Sequence, residues 1–269
     1  MPFTVSHVAA VLPAHRALRR WGLFSAAIVG SMVPDFGTLL SLHLPRSSTH
    51  SLMALVTFCL PVGLMAWWLV QLLVKPAWCE VLPGNWRVRL RAEHPPARIS
   101  DWRAWAGGAV AIVLGALTHL VWDSFTHEDG RGVRMLPFLD DTYGPDIVGH
   151  PLRLFRWLQH LSSVVGLIVV LVAAWRWSRG GPQDPAPSVA GEAVMSARER
   201  RTWAWAYVLV PFALVCMTLA AELLWPHSWE RTGDKIARLA VWGLRGGCLS
   251  LVAVSALILA RLARRARLQ

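Results

Sequence analysis

Two histidines and an aspartate recur at four-residue intervals in GALTHLVWDSFTH, the stretch from Gly115 to His127: His119, Asp123 and His127. Residues four apart share a helix face, so this spacing predicts one polar stripe. Imidazole nitrogens and carboxylate oxygens are ligands that zinc and related transition metals accept. The stretch closes a long apolar run that starts at Trp105. An ionisable group in such a run is costly without a partner. The stripe therefore reads as half of a metal site, with earlier segments supplying the rest. The other candidates are His7, Asp35, His50 and His160. A lone polar residue at the end of an apolar run is ordinarily interfacial. What marks these four is where the chain carries them.

The elements that must do the carrying follow from composition and pattern. The chain is 55% hydrophobic and only 16% charged, against roughly 25% charged in a soluble domain. It reads as an all-α, polytopic membrane protein of about five transmembrane helices, with short N-terminal re-entrant or interfacial helices before them. The predicted spans are residues 51–74, 105–123, 157–175, 203–225 and 236–262. Tryptophans stand at several of their ends, as interfacial anchors do. Residues 21–44 are long enough to span, but Gly30, Pro34 and Asp35 interrupt them. Such a break is tolerated only inside protein or beside water, so two short helices with Pro34-Asp35 between them are expected. Pro13 limits any straight helix before that. Residues 177–202, rich in Pro, Gly, Ala and Ser, predict a flexible linker. It separates a membrane-embedded metal-site domain, residues 1–176, from a C-terminal transmembrane hairpin with a basic tail, residues 203–269. Arg245, within the last span, needs a partner, for which Glu222 is the candidate. The N-terminus, MPFTVSHVAA, has no basic stretch before an apolar core, so insertion is expected to be directed by the later spans.

Threading the spans alternately across a bilayer brings the candidates together. His50 opens the first span, the His119 stripe closes the second and His160 opens the third, all at one face. Asp35 is a short turn from His50, and His7 joins them if residues 21–44 do not cross. The opposite face holds Lys75 and the arginines of residues 87–103, 176–201 and 261–267, more cations than the site face carries. By the positive-inside rule the site faces away from the cytoplasm. With residues 21–44 not crossing, Arg16, Arg19 and Arg20 count on the site side and weaken the bias.

The net charge of +11 fits loops against anionic lipid heads. No zinc finger, aromatic-basic RNA motif or basic zipper region is present, which excludes nucleic-acid partners. Cys59, Cys79, Cys216 and Cys248 are scattered and form no CxxC pair, so neither a disulfide framework nor a thiolate site is expected.

The blocks MPFTVSHVAAVLP, GSMVPDF, THSL, GALTHLVWDSFTH and LQHLSSVVGL resemble a bacterial membrane-protein family of unknown function, domain-of-unknown-function family 4184, over most of residues 1–170. The PD, HS and histidine-aspartate blocks are also similar to membrane-bound metal-dependent hydrolases and, in ligand order, to zinc-dependent phospholipase C. That likeness implies metal ligands at His7, Asp35, His50, His119 and Asp123, with His127 and His160 as later histidine matches. It implies one or two zinc ions, Asp123 as a bridge, and Asp35 or Asp141 as proton acceptor. It has no match to the soluble enzymes' N-terminal tryptophan or to a downstream HxxxE. By analogy the substrate is a phosphoester or lipid-like molecule, acted on by a water that the metal acidifies. A bacterial inner-membrane hydrolase with catalytic Asp35 and Asp123 is the expectation; the rival is a metal or ion transporter, or a structural membrane protein. A transporter would carry polar groups at the midplane of several spans, whereas here they gather at one end.

Overall fold

The computed structural model describes residues 4–19, 21–40, 42, 44–93, 101–143, 153–180, 195–224 and 232–268. Among these there is no β-strand. Five helices are long and apolar enough to cross a membrane. We label the longer helices α1 (Phe24–Met32), α2 (Leu55–Val81), α3 (Trp102–Thr126), α4 (Leu154–Arg179), α5 (Ala197–Leu224) and α6 (Thr232–Leu268). His43, His94 and most of the 177–202 segment lie outside the described residues.

The N-terminus forms a re-entrant hairpin. A 3₁₀ helix, Thr4–Ala14, carries Pro13 and runs into the short helix His15–Arg19. The chain reverses at Gly22, whose φ of 69° suits a residue without Cβ. It returns through α1, the 3₁₀ turn Val33–Asp35 and the helix Phe36–Leu39. The break therefore falls at Pro34-Asp35, as the sequence predicts. The apolar stretch Phe24–Leu39 is shorter than the five spans.

This hairpin changes the charge balance. His7 sits at one end of it, against His119. Leu23, just past the turn, lies against Gly107 near the start of α3. Gly107 and His119 are twelve residues apart, about 18 Å of helix. Arg16 and Arg19 precede the turn and so lie toward the end of the bundle remote from His7. The sequence reading placed them on the site side. A 3₁₀ helix rises about 2.0 Å per residue against 1.5 Å for an α-helix, so eleven modestly apolar residues reach further than their number implies.

The helix α1 packs most closely on α3 through glycines. A Cβ on Gly30 would collide with the Ile112 carbonyl, and one on Gly115 would lie 2.5 Å from the Ala27 carbonyl. Small residues at facing positions let two backbones approach, the usual means of helix association in a bilayer. Beneath lies a core of Val8, Val11, Ala26, Val29, Trp67 and Ile112. The 3₁₀ helix wedges between α1 and α4, where Ser6 meets Gly166.

The helix α2 runs on to Val81, past the end expected at Val74. A wide π turn, Val70–Val74, precedes Pro76, as another, Leu55–Cys59, precedes Pro61. Each widening accommodates a ring with no N–H to donate, so proline does not end the helix. Lys75 is consequently buried within the helix rather than in a loop. The C-terminal hairpin packs onto this extension, with Val254 and Ile258 against Ala77 and Val81. Arg245 donates to the Leu39 and Thr38 carbonyls at 2.8 and 2.6 Å and stands 4.8 Å over the Trp242 ring. The side chain of Glu222 lies outside those described.

Candidate metal centre

Four separate elements deliver side chains to one point beneath the end of α3. The 3₁₀ helix brings His7, the turn at Pro34 brings Asp35, the segment before α2 brings His50, and α3 brings His119 and Asp123. His7, Asp35 and Asp123 are 5%, 5% and 4% exposed, and His119 is fully buried. The His7 and His119 rings stack at 3.7 Å between centroids, and His50 meets His119 edge-on at 5.4 Å.

Local chemistry fixes which imidazole nitrogens face inward. The Val33 N–H bonds back to the Val29 and Gly30 carbonyls. Pro34 has no N–H to offer, which frees the Ser31 carbonyl. His119 Nδ1–H donates to it at 2.8 Å, which turns the ring's Nε2 toward the cluster. Thr49 Oγ1 donates to the Arg46 carbonyl at 3.3 Å and lies 2.7 Å from His50 Nδ1. With Nδ1 engaged there, Nε2 is the His50 nitrogen that faces inward. Thr4 Oγ1 donates to Asp35 Oδ2 at 2.7 Å, turning Oδ1 toward His50 and His119 at 3.4 and 3.8 Å.

Asp123 is the hub. Its Oδ2 lies 3.4 Å from His119 Nε2, 3.6 Å from His50 Nε2 and 3.5 Å from His127 Nδ1, and accepts from Arg46 Nη2 at 2.6 Å. Its Oδ1 lies 3.6 Å from His7 Nε2. Burial, reinforced by the neighbouring His119, pushes the His7 imidazole down to about 4, so it is neutral at neutral pH. Burial opposes ionisation of Asp35, but the His50 and His119 rings and the Thr4 hydroxyl outweigh it and hold the carboxyl at about 2. Neutral imidazole and ionised carboxylate are the protonation states a metal takes up.

Three buried atoms, His50 Nε2, His119 Nε2 and Asp123 Oδ1, have no hydrogen-bond partner. Leaving a buried polar atom unsatisfied costs about 1–3 kcal/mol, and native structures rarely carry three in one place without a reason. Two sets of ligand atoms lie within 4.8 Å of one another: His7, His119 and Asp123, and Asp35, His50 and His119. The donor set and its orphaned atoms fit one or two divalent ions.

His127 and His160 belong to neither set, although His127 Nδ1 lies 3.5 Å from Asp123 Oδ2. The helix α3 ends at Thr126, and His127 takes extended backbone at its cap. The Gln159 amide meets its Nε2 at 2.9 Å, so its Nδ1 carries the hydrogen and faces Asp123. Burial, with Arg46 adding to it and Asp123 opposing, lowers its pKa. His160 is exposed on α4, one position beyond the face that carries Gln159. Asp141 is exposed in the loop after α3, and Asp140 pairs with Arg153 at 2.6 Å. The sequence reading passed over Arg46, Gln159, Thr4 and Thr49. Gln159 had a signal: with Phe155, Ser163 and Gly166, it follows the helical spacing of α4's buried face.

A cleft of about 210 Å³, lined by Gly37, Thr38, Leu44, Arg46, Thr49 and His50, leads to the cluster. Val33, Cys59 and Ala116 in one apolar core and Ile112 in another are fully buried.

A family model described as a domain of unknown function, DUF4184, matches residues 1–256. The chain belongs to that family. The DUF4184 match takes in every residue of the cluster, and Arg245 as well. No curated protein and no solved structure shows significant similarity to the chain.

Proposed function

We propose that this DUF4184 protein is a metal-dependent hydrolase of the bacterial inner membrane, with zinc at its centre. The site faces away from the cytoplasm and acts on a phosphoester or lipid-like substrate. The observation that carries the reading is the meeting of His50 Nε2, His119 Nε2 and Asp123 Oδ1, all three buried and unsatisfied. His50, His119, Asp35 and Asp123 would hold one ion, and His7 with Asp123 would help hold a second. Zinc so held supplies Lewis acidity and a water acidic enough to act as nucleophile near neutral pH.

The chain's own residues do the rest. The Ser31 and Thr49 contacts hold the ligand imidazoles in orientation. Thr4 keeps one oxygen of Asp35 occupied, so the other alone faces the site and can ligate or accept a proton. The Gln159–His127 pair steadies Asp123 from the outer side. The cleft beside His50 gives access to the cluster.

The gathering of the polar groups at one end of the bundle weighs against a transporter, which would carry them at the midplane of several spans. The test is turnover by detergent-purified protein loaded with zinc, using bis(p-nitrophenyl) phosphate and a short-chain phosphatidic acid as probes. Zinc-dependent hydrolysis that His119→Ala abolishes supports the reading. Stoichiometric zinc without hydrolysis of any phosphoester or carboxylic ester leaves a structural metal site instead.

A further inference from the structure

We infer that Arg46 is the anion receptor of the cleft, the residue that takes the phosphate group of the ligand presented to the metal centre. The inference rests on the metal reading and adds to it the residue that selects the ligand's charge.

Arg46 opens the 3₁₀ turn Arg46–Ser48. Its carbonyl accepts from the Thr49 and His50 N–H groups at 3.0 and 2.8 Å. The backbone that carries the guanidinium is thereby tied to the backbone of a candidate ligand. The side chain is 32% exposed and lines the cleft beside His50. On the inner side it reaches Asp123 Oδ2 at 2.6 Å, and on the outer side its Nε stands 3.8 Å from Asp129, which is 68% exposed. A guanidinium has five N–H donors in a planar fork, and these contacts leave donors facing the cleft.

Charge decides what those donors meet. The cluster's two carboxylates, Asp35 and Asp123, balance a single divalent ion. Once Asp123 serves an ion, Arg46 becomes a surplus positive charge beside it, and a second ion increases the surplus. An anion in the cleft relieves it. A phosphate group accepts the guanidinium fork through paired, charge-assisted hydrogen bonds. Two sources present that chemistry: the headgroup of a phospholipid, or a soluble phosphate compound. Leu44, which lines the cleft and is 43% exposed, offers a lipid chain a surface that inorganic phosphate does not use.

The experiment uses full-length protein in non-ionic detergent and compares wild type with Arg46→Ala and Arg46→Lys. Zinc stoichiometry is measured first. Binding of inorganic phosphate and of dihexanoyl phosphatidic acid to the zinc-loaded protein then follows by calorimetry. Arg46→Ala is expected to keep wild-type zinc stoichiometry, because Arg46 is no ligand and competes for Asp123 Oδ2. It is expected to bind phosphate at least ~10-fold more weakly, the scale of a lost charge-assisted contact. Arg46→Lys should fall between, keeping the charge but losing the fork. Tighter binding of the phosphatidic acid than of phosphate identifies a lipid headgroup; equal binding identifies a soluble phosphate compound. Unchanged phosphate affinity in zinc-loaded Arg46→Ala overturns the inference and spares the metal reading. So does zinc loss in that variant as complete as in Asp123→Ala, which makes Arg46 a structural brace. Wild-type protein that takes up no zinc defeats the metal reading, and this inference with it.

Discussion

Gly115→Ala tests whether the contact between α1 and α3 sets the metal site, without touching any ligand. The new Cβ would lie 2.5 Å from the Ala27 carbonyl and 2.8 Å from the Ser31 amide nitrogen. Both neighbours are backbone, so the helices must part by roughly 1 Å to reach ordinary contact, and overpacking of this kind costs about 1–3 kcal/mol. The Ser31 carbonyl that holds His119 Nδ1 at 2.8 Å belongs to the displaced helix. A shift of about 1 Å takes that bond past hydrogen-bonding distance. Losing the partner that orients a ligand imidazole typically lowers metal affinity about 10–100-fold. The control is Gly247→Ala in α6, where an added Cβ meets nothing within 4 Å. There, alanine should stabilise the helix by about 0.5–1 kcal/mol. Zinc affinity by chelator competition and the apparent melting temperature in one detergent are the readouts. Gly115→Ala should lose both affinity and melting temperature, and Gly247→Ala neither. Wild-type zinc affinity in Gly115→Ala would refute the claim that this helix contact positions the site.

Asp123→Ala should abolish zinc binding, whereas His127→Ala should weaken it about tenfold as an outer contact; equal loss in zinc titrations of the two contradicts the ranking. In metal-free protein His7 stays neutral down to about pH 4, while the unfolded chain takes up its proton below 6.5. The unfolded state therefore binds more protons between those values, and stability falls as pH drops through them, by up to about 1.4 kcal/mol per unit from this residue. His7→Gln should flatten that slope in denaturation series, and an unchanged slope counts against it. For orientation, Asp129→Cys should react with an impermeant thiol reagent in intact cells and Arg267→Cys should not, in a background lacking Cys59, Cys79, Cys216 and Cys248. The reverse pattern overturns the extracytoplasmic placement.

The helical period made part of this site readable. His119 and Asp123 are one turn apart within an uninterrupted helix, so their common face follows from spacing alone. The same period brings His127 Nδ1 within 3.5 Å of Asp123 Oδ2, although the helix ends one residue earlier and the Gln159 amide meets the ring's other nitrogen. Alternation of the spans puts His160 at the right end of α4, yet says nothing of that helix's rotation, which aims Gln159 inward instead. Arg46 was legible only as one more cation in a charge count. Its direction depends on the path of residues 40–50, which no periodicity describes. The hairpin was half visible: Pro34 and Asp35 mark its break. The depth of the Thr4–Ala14 segment depends on 3₁₀ geometry, which composition does not reveal. The tight contact of Gly30 and Gly115 with opposing backbone was likewise invisible, since a glycine in an apolar run does not name its neighbour.

The central claim is that these buried histidines and aspartates form a metal centre, and elemental analysis of the purified protein tests it most directly. Wild-type protein, reconstituted with zinc in detergent and freed of loosely bound metal, should retain one or two ions per chain. His119→Ala, folded and monodisperse, should retain none. Wild-type protein without stoichiometric metal both before and after reconstitution would contradict the account.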